Sequence, residues 1–292
     1  MIDYTARWLL AHLPETPRAT LVHGDFRNGN LMVTADGIVA VLDWEIAHLG
    51  DPMRDLGWLC TNSWRFGQRE LPVGGVGSYA DLFAGYAAIT GIPVDPAHVR
   101  FWEVFGSFWW AVGCLQMAEH YRQGRDATVE RPAIGRRSSE CQIDCVNLLI
   151  PGPAELVAAA ADELDSALPR TEELLASARD FLRDEVVAHT EKRVAFLARV
   201  AANALDIARR EIKIGPEAQR RELARLRELV GASEDLEVGR WRLIERIRQR
   251  TIDLDDPAFE YHLRSTVLNQ ALIDQPTYSG CVAALALCGK TT

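Results

Sequence analysis

Tyr4, Trp8, Leu9 and Leu13 recur at helical spacing, which predicts an amphipathic helix over Asp3 to Leu13, closed by Pro14. The pattern then shortens. Thr20 to Val22 is a brief apolar run, Leu31 to Val33 reads as a strand and Ile38 to Leu42 as its partner, with the turn-forming pair Asp36-Gly37 between them. Helical periodicity returns from about Met53 to Thr61 and again from Tyr79 to Thr90, where Gly91 and Pro93 stop it. Asp95-Pro96 opens a further helix carrying Phe101, Trp102, Phe105, Phe108, Trp109 and Trp110 around most of its circumference, so it is expected to be buried on several sides. Val73 to Ser78 is glycine-rich, but it lacks a preceding strand and a Gly-Lys-Ser/Thr ending and reads as a flexible connection rather than a phosphate loop.

Ile150-Pro151-Gly152-Pro153 is the clearest break in composition and marks an expected boundary between residues 1–150 and 151–292. Beyond it the chain shows no strand-like alternation. Helices are predicted over Pro153 to Leu168, over Thr171 to about Lys213 as one long or two consecutive elements, then over Glu217 to Val230, Leu236 to Arg250 and Pro257 to about Asp274. Gly215-Pro216 is read as a break. Val194, Leu197, Ala201, Ala204 and Ala208 form one apolar stripe; Leu223, Leu226 and Val230, then Trp241, Ile244 and Ile247, form others, and a bundle of about five helices would satisfy them. The fold class expected is mainly α with a small β hairpin.

The 292 residues and 48% hydrophobic content support real cores. A net charge of −9 without long like-charged blocks gives no reason to expect a nucleic-acid partner. Six scattered cysteines and no signal peptide point to reduced thiols and a cytoplasmic location; Cys141 and Cys145 share a helix face but no zinc motif, and read as buried small hydrophobes. The longest apolar stretch, Phe101 to Met117, contains Glu103 and Gln116 and is too short to span a membrane.

Candidate chemistry concentrates in His23-Gly24-Asp25-Phe26-Arg27-Asn28-Gly29-Asn30, followed by Asp43 in Leu42-Asp43-Trp44-Glu45. The predicted hairpin places Asn30 before its first strand and Asp43 after its second, hence at the same end, with Asp25 in the loop that feeds it. Three oxygen-bearing side chains at one loop surface suit a hard divalent cation, and magnesium is usually held by few protein ligands plus phosphate oxygens. In phosphoryl transfer an Asp orients the acceptor hydroxyl, an Asn five positions later holds one metal ion and a further Asp bridges metal to phosphate. Turn formation alone would also use Asp25 and Asn30. A hydrolase metal site on His23 and Asp25 is a third reading, but no further His follows at ligand spacing.

HGDFRNGN, LDWE and Asp51-Pro52-Met53-Arg54-Asp55-Leu56 together resemble the aminoglycoside phosphotransferase and choline kinase-like family, relatives of protein kinases. The resemblance implies a protein-kinase-like C-terminal lobe, with Asp25 catalytic, Asn30 and Asp43 holding Mg2+, and ATP as phosphoryl donor to a small-molecule hydroxyl. His23 stands where the kinase loop has its His. Asp55 would brace the loop, Asp51 would cap the following helix, and Glu45 would either reach a metal-bound water or face solvent. The aromatic helix would either pack in the core, its default role, or help line the acceptor pocket, with Glu103, Glu119 and His120 as polar candidates that equally read as ordinary surface groups. That helix and Tyr121-Arg122-Gln123-Gly124 are similar to phosphotransferase-like kinases linked to acyl-CoA metabolism. The second segment resembles an uncharacterised helical domain attached to such phosphotransferases, for which either a partner-binding or homo-oligomerising role or a solvated bundle that merely packs on the kinase lobe is expected.

The family carries an upstream nucleotide-clamping lobe with a strand lysine, whereas no lysine here precedes Lys192. The N-terminal lobe is therefore expected to be absent from this polypeptide and activity of the chain alone to be low; either the chain is a truncated or wrongly started product of a longer gene, or a separate polypeptide supplies the other lobe, or the lobe has been repurposed. The competing expectation is a non-catalytic, kinase-like interaction protein.

Overall fold

The computed structural model describes residues 1–15, 19–159, 169–233 and 235–289. Contacts group into two compact units, one of Met1–Trp110 with Tyr278–Gly280, the other of Ala111–Thr277 with Cys281–Thr292. That division lies within a helix, α4 (Pro96–Arg122), whereas the composition break at Ile150 to Pro153 follows the end of α6 (Ser138–Leu149).

In the first unit α1 (Ile2–Ala11) is followed by β1 (Thr20–Val22), the hairpin β2 (Leu31–Thr34) and β3 (Gly37–Val41), and β4 (His48–Gly50). The hairpin pairs antiparallel with Leu31 opposite Val41 and Thr34 opposite Gly37. β1 pairs antiparallel with β4, Leu21 facing Leu49, so two separate ribbons flank the His-Gly-Asp loop. Local patterning did not reveal β4, because three residues paired with a strand that ends 25 intervening residues earlier in the chain leave no periodic signal.

α2 (Met53–Cys60) and α3 (Tyr79–Thr90) follow. The ends of α3 are chemically marked: Ser78 accepts from the Asp81 N–H, and Gly91 closes the helix in the left-handed region. Met53, Leu56, Leu59, Cys60, Val73 and Val99 form the core, with Phe26 and Trp102 packed against it. α2 approaches α4 at Gly57, where a Cβ would stand 2.4 Å from the Trp102 Cβ, so any larger residue would force the helices apart. The glycine-rich stretch after Val73 is a built turn rather than a loose connection. Val73 bridges to Gly77, the Gly74 N–H donates to the Leu59 carbonyl at 3.0 Å, and the Asn28 amide donates to the Gly74 carbonyl.

The second unit contains no strand among its described residues. After α4 it runs through α5 (Glu130–Arg136), α6, α7 (Thr171–Asp180), a π-helical turn (Phe181–Val186), α8 (Val187–His189), α9 (Lys192–Val230), α10 (Leu236–Arg248), α11 (Pro257–Asp274) and α12 (Ser279–Cys288). α9 packs against α7, α10 and α11, and α11 also packs against α6.

Three expectations change here. Gly215-Pro216 does not break the chain: α9 continues through Pro216 for 39 residues. An interior proline removes one backbone bond and costs about 3 kcal/mol, but tertiary contacts hold α9 on both sides of it. Arg210 donates to the carbonyl of Ile273 at 2.5 Å before the proline, and Arg221 meets Glu155 at 2.7 Å beyond it.

The helix expected from Pro153 is not formed over residues 153–159, and its remainder to Leu168 lies outside the described residues. Side chains of α11 claim the backbone instead. The Glu155 N–H donates to Ser265 Oγ and the Val157 N–H to Asn269 Oδ1, both at 2.9 Å. The stripe on α9 is also rotated by about one residue, with Ala195, Ala198 and Ala202 buried and Val194 exposed.

All six cysteines are free and five are buried; burial pushes the Cys60 thiol up to about 12, which leaves it protonated. Among the described residues no helix is long and apolar enough to cross a membrane.

Candidate active site

β1 ends in buried Val22 and delivers His23 into a loop whose backbone is tied down from below. The N–H groups of His23 and Gly24 donate to the two carboxylate oxygens of Asp55, at 2.7 and 2.9 Å. Asp55 lies in the first turn of α2, so that helix fixes the loop through its main chain. Gly24 has φ +86°, and a Cβ there would come 3.1 Å from the Ile46 carbonyl oxygen; the turn admits no larger residue without strain. The buried His23 ring donates from Nε2 to the Leu42 carbonyl at 2.8 Å, while its Nδ1 accepts from the Asp25 N–H at 3.2 Å. A single tautomer satisfies both bonds.

This brings Asp25 and Asn30 into direct contact. The Asn30 amide donates to Asp25 Oδ2 at 2.7 Å and to the Asp25 carbonyl at 2.9 Å. Asn30 is buried, and its own carbonyl accepts from the Leu42 N–H at 2.8 Å. Asp43, next in the chain, therefore emerges at the same mouth of the hairpin. Its carboxylate is exposed and makes no hydrogen bond or ion pair among the described residues. Its backbone sits at φ 66°, a left-handed conformation uncommon for any residue but glycine and costing of order 1–3 kcal/mol where it persists.

The supporting residues divide. Glu45 is exposed. Asp51 is buried and faces α2 and α4: its carboxylate caps α2 through the Met53 N–H at 3.0 Å, accepts from Trp102 Nε1 at 2.9 Å and bonds His98. Of the polar candidates on α4, Glu103 is no surface group. Its buried carboxylate pairs with Arg65 at 2.7 Å and accepts from the Tyr79 hydroxyl at 2.9 Å; burial raises its pKa, and Arg65 opposes the rise. Glu119 is half-buried and meets Arg122 at 3.3 Å.

Sequence reasoning missed two contacts of Asp25. Arg27 Nε donates to both carboxylate oxygens, at 3.0 and 3.3 Å, and its guanidinium lies 4.7 Å from the Trp64 ring centroid. Trp58 Nε1 donates to Asp25 Oδ1 at 2.8 Å. The signal for Trp58 was present: it stands three residues after Asp55 on α2, hence on the same helix face.

The donor set fits magnesium. Asn30 Oδ1 and the Asp43 carboxylate are hard oxygens, and with its amide hydrogens committed to Asp25, Asn30 presents oxygen rather than nitrogen. Among the described residues no group of three or more His, Cys, Asp or Glu forms a metal cage. Magnesium needs none, because it is commonly held by one or two protein groups together with water and substrate phosphates.

Residues 2–92 match the family described as Phosphotransferase enzyme family, and residues 188–278 match one described as Domain of unknown function (DUF6285). Over that first stretch the chain is similar to the phosphotransferase enzyme family. Among similar proteins, mouse (Mus musculus) acyl-CoA dehydrogenase family member 10 is 36% identical over 98 residues, which is 30% of this chain and 9% of that protein. The chicken (Gallus gallus) acyl-CoA dehydrogenase family member 11 is 38% identical over 118 residues, covering 35% and 15%. The chain thus spans only a small part of these relatives. A solved structure named "putative aminoglycoside phosphotransferase", from Ralstonia eutropha, is 27% identical with a TM-score of 0.42, over 50% of this chain and 47% of that one.

Proposed function

We propose that this chain takes part in ATP-dependent phosphoryl transfer to the hydroxyl of a small molecule, with Asp25 as the group that accepts the hydroxyl proton. The observation that carries this reading is the Asn30 amide bonded to the Asp25 carboxylate, with unpaired Asp43 emerging beside it at the hairpin mouth. In the step, the acceptor oxygen forms a bond to the terminal phosphorus of ATP, the bridging P–O bond breaks and ADP leaves. The hydroxyl proton passes to Asp25. Asn30 and Asp43 would hold Mg2+, which when bound neutralises charge on the phosphates.

The chain's own residues orient the reactants. Asp55 and His23 fix the loop, and the Trp58 and Asn30 donors fix the Asp25 carboxylate. Asp51 secures α2 to α4. The test is transfer of labelled phosphate from ATP to a panel of hydroxyl compounds. It is run with the purified chain alone and again with an added polypeptide bearing a glycine-rich phosphate loop and a strand lysine. Magnesium-dependent transfer that is lost in Asp25→Asn supports the reading; transfer unchanged in that variant contradicts it.

A second reading has an observation of its own. Met32, Val33, Ile38 and Val39 on the hairpin are 50%, 68%, 56% and 59% exposed, more apolar surface than a short ribbon normally leaves in water. Such a face favours a docking role, either for a nucleotide-clamping lobe, which keeps the catalytic reading, or for an unrelated partner in a non-catalytic scaffold. Nothing in the acyl-CoA dehydrogenase names decides the acceptor, because the similarity covers so little of those proteins.

A further inference from the structure

The Asp25 carboxylate is already fully engaged. Two oxygens offer about four lone-pair sites, and three N–H donors cover them: Trp58 Nε1 at Oδ1, Asn30 Nδ2 at Oδ2, and the single Arg27 Nε–H shared between both oxygens. An acceptor hydroxyl can bond this carboxylate only by displacing one of them. The donors differ in how firmly they are held.

Trp58 is 4% exposed, on α2, with its ring edge-on to Trp64 and Trp109 at 5.1 and 5.2 Å. Asn30 is buried and tied to the backbone of its own loop. The Arg27 side chain is 28% exposed, spans both oxygens rather than committing to one, and rests on the Trp64 face through a long flexible stem.

We infer that Trp58 is a positioning residue for Asp25: its indole N–H holds Oδ1 in place while Arg27 is the exchangeable donor whose position the acceptor hydroxyl takes. The assignment of chemistry to Asp25 rests on the phosphotransferase reading; the division into a fixed and an exchangeable donor rests on the contacts alone. Without the indole anchor, the carboxylate would turn with Arg27 and lose its alignment with the incoming hydroxyl. Because misplacement by about 1 Å can cost on the order of a hundredfold in rate, loss of this bond is expected to lower kcat roughly tenfold to a hundredfold and to leave the KM for nucleotide nearly unchanged.

The first arm of the test needs no activity. In the full-length chain labelled with nitrogen-15, Trp58→Phe identifies the Trp58 indole signal by its disappearance. That signal is expected to shift in Asp25→Asn and to stay close to its wild-type position in Arg27→Gln. A signal indifferent to Asp25→Asn, or displaced as far by Arg27→Gln as by Asp25→Asn, overturns the inference. The second arm replaces Trp58 with benzothienylalanine, which keeps the bicyclic shape and removes only the N–H, so a folding defect does not obscure the result. A reduced kcat with unchanged KM supports the inference, and an unchanged kcat in a chain that Asp25→Asn inactivates overturns it. A wild-type chain inactive under every condition would count against the phosphotransferase reading, and the indole signals would still decide the role of Trp58.

Discussion

In the N-terminal unit one set of polar contacts converges on a single loop: Asp55 holds its backbone, His23 joins it to the hairpin, and Asn30 and Trp58 clamp a single carboxylate. In the helical unit the ion pairs instead lie along and between regular helices. Examples are Arg136 with Asp274 at 3.1 Å, Arg240 with Glu222 at 2.6 Å and Arg179 with Asp206 at 2.9 Å. The first unit departs from regular structure at the candidate site, with tight turns, two small ribbons and Asp43 at positive φ. The second is built mainly of helices, one of them running through a proline, and its own positive-φ residues, Lys192 and Arg250, sit at helix ends. A scaffold that packs can tolerate local irregularity as a defect to be offset; a site that positions a proton acceptor builds with it.

That contrast can be broken or sharpened in order of effect. Asp25→Asn should lower phosphoryl transfer by about a hundredfold to ten-thousandfold, the range of a lost general base, with little change in the urea midpoint; a large loss of stability would recast Asp25 as structural. Next, Asp55→Ala strands the N–H groups of His23 and Gly24 and should cost about 2–4 kcal/mol by denaturant unfolding.

The helical unit should answer to pH through His262. Its buried ring has its pKa lowered from 6.5 to about 3, first by burial and then by the Arg225 charge. The unfolded chain therefore takes up this proton first, so the contribution is fully present above about 6.5 and is lost as pH falls toward 3. His262→Leu should flatten the fall in unfolding free energy over that interval relative to wild type.

Pro216→Ala should return a backbone donor to α9 and raise stability by about 1–3 kcal/mol, provided the helix is unkinked. A loss would show that neighbouring packing depends on the proline. Smallest in stability is Asp43→Gly. Relief of the positive φ and the added freedom of the unfolded chain oppose each other, leaving the melting temperature within a degree or two, on the order of 0.5 kcal/mol. Magnesium-nucleotide binding should nonetheless be lost.

The same contrast explains what could be read from sequence. The hairpin, α3 with its Ser78 and Gly91 ends, and the His-Gly-Asp loop announce themselves locally, because turn chemistry and spacing act over a few residues. β4 and the Trp58 contact to Asp25 join residues far apart in the chain; no window on the sequence contains both partners, and the one cue for Trp58 is its place three residues after Asp55 on α2. In the helical unit the errors have another cause. The propensity of Gly215-Pro216 to end a helix, and of residues 153–159 to begin one, is small against the contacts made by Arg210, Ser265 and Asn269. Ala195, Ala198 and Ala202 show that small residues, not the most hydrophobic ones, can mark the face where helices meet.

The most direct test of the central claim is paramagnetic broadening by manganese nucleotide, read at the backbone amides of Asn30, Leu31, Leu42 and Asp43 in the labelled chain. The account predicts selective broadening at those four positions, absent in Asp43→Ala. Broadening that is uniform along the chain, or equally strong in the variant, would contradict a cation site at the mouth of this hairpin.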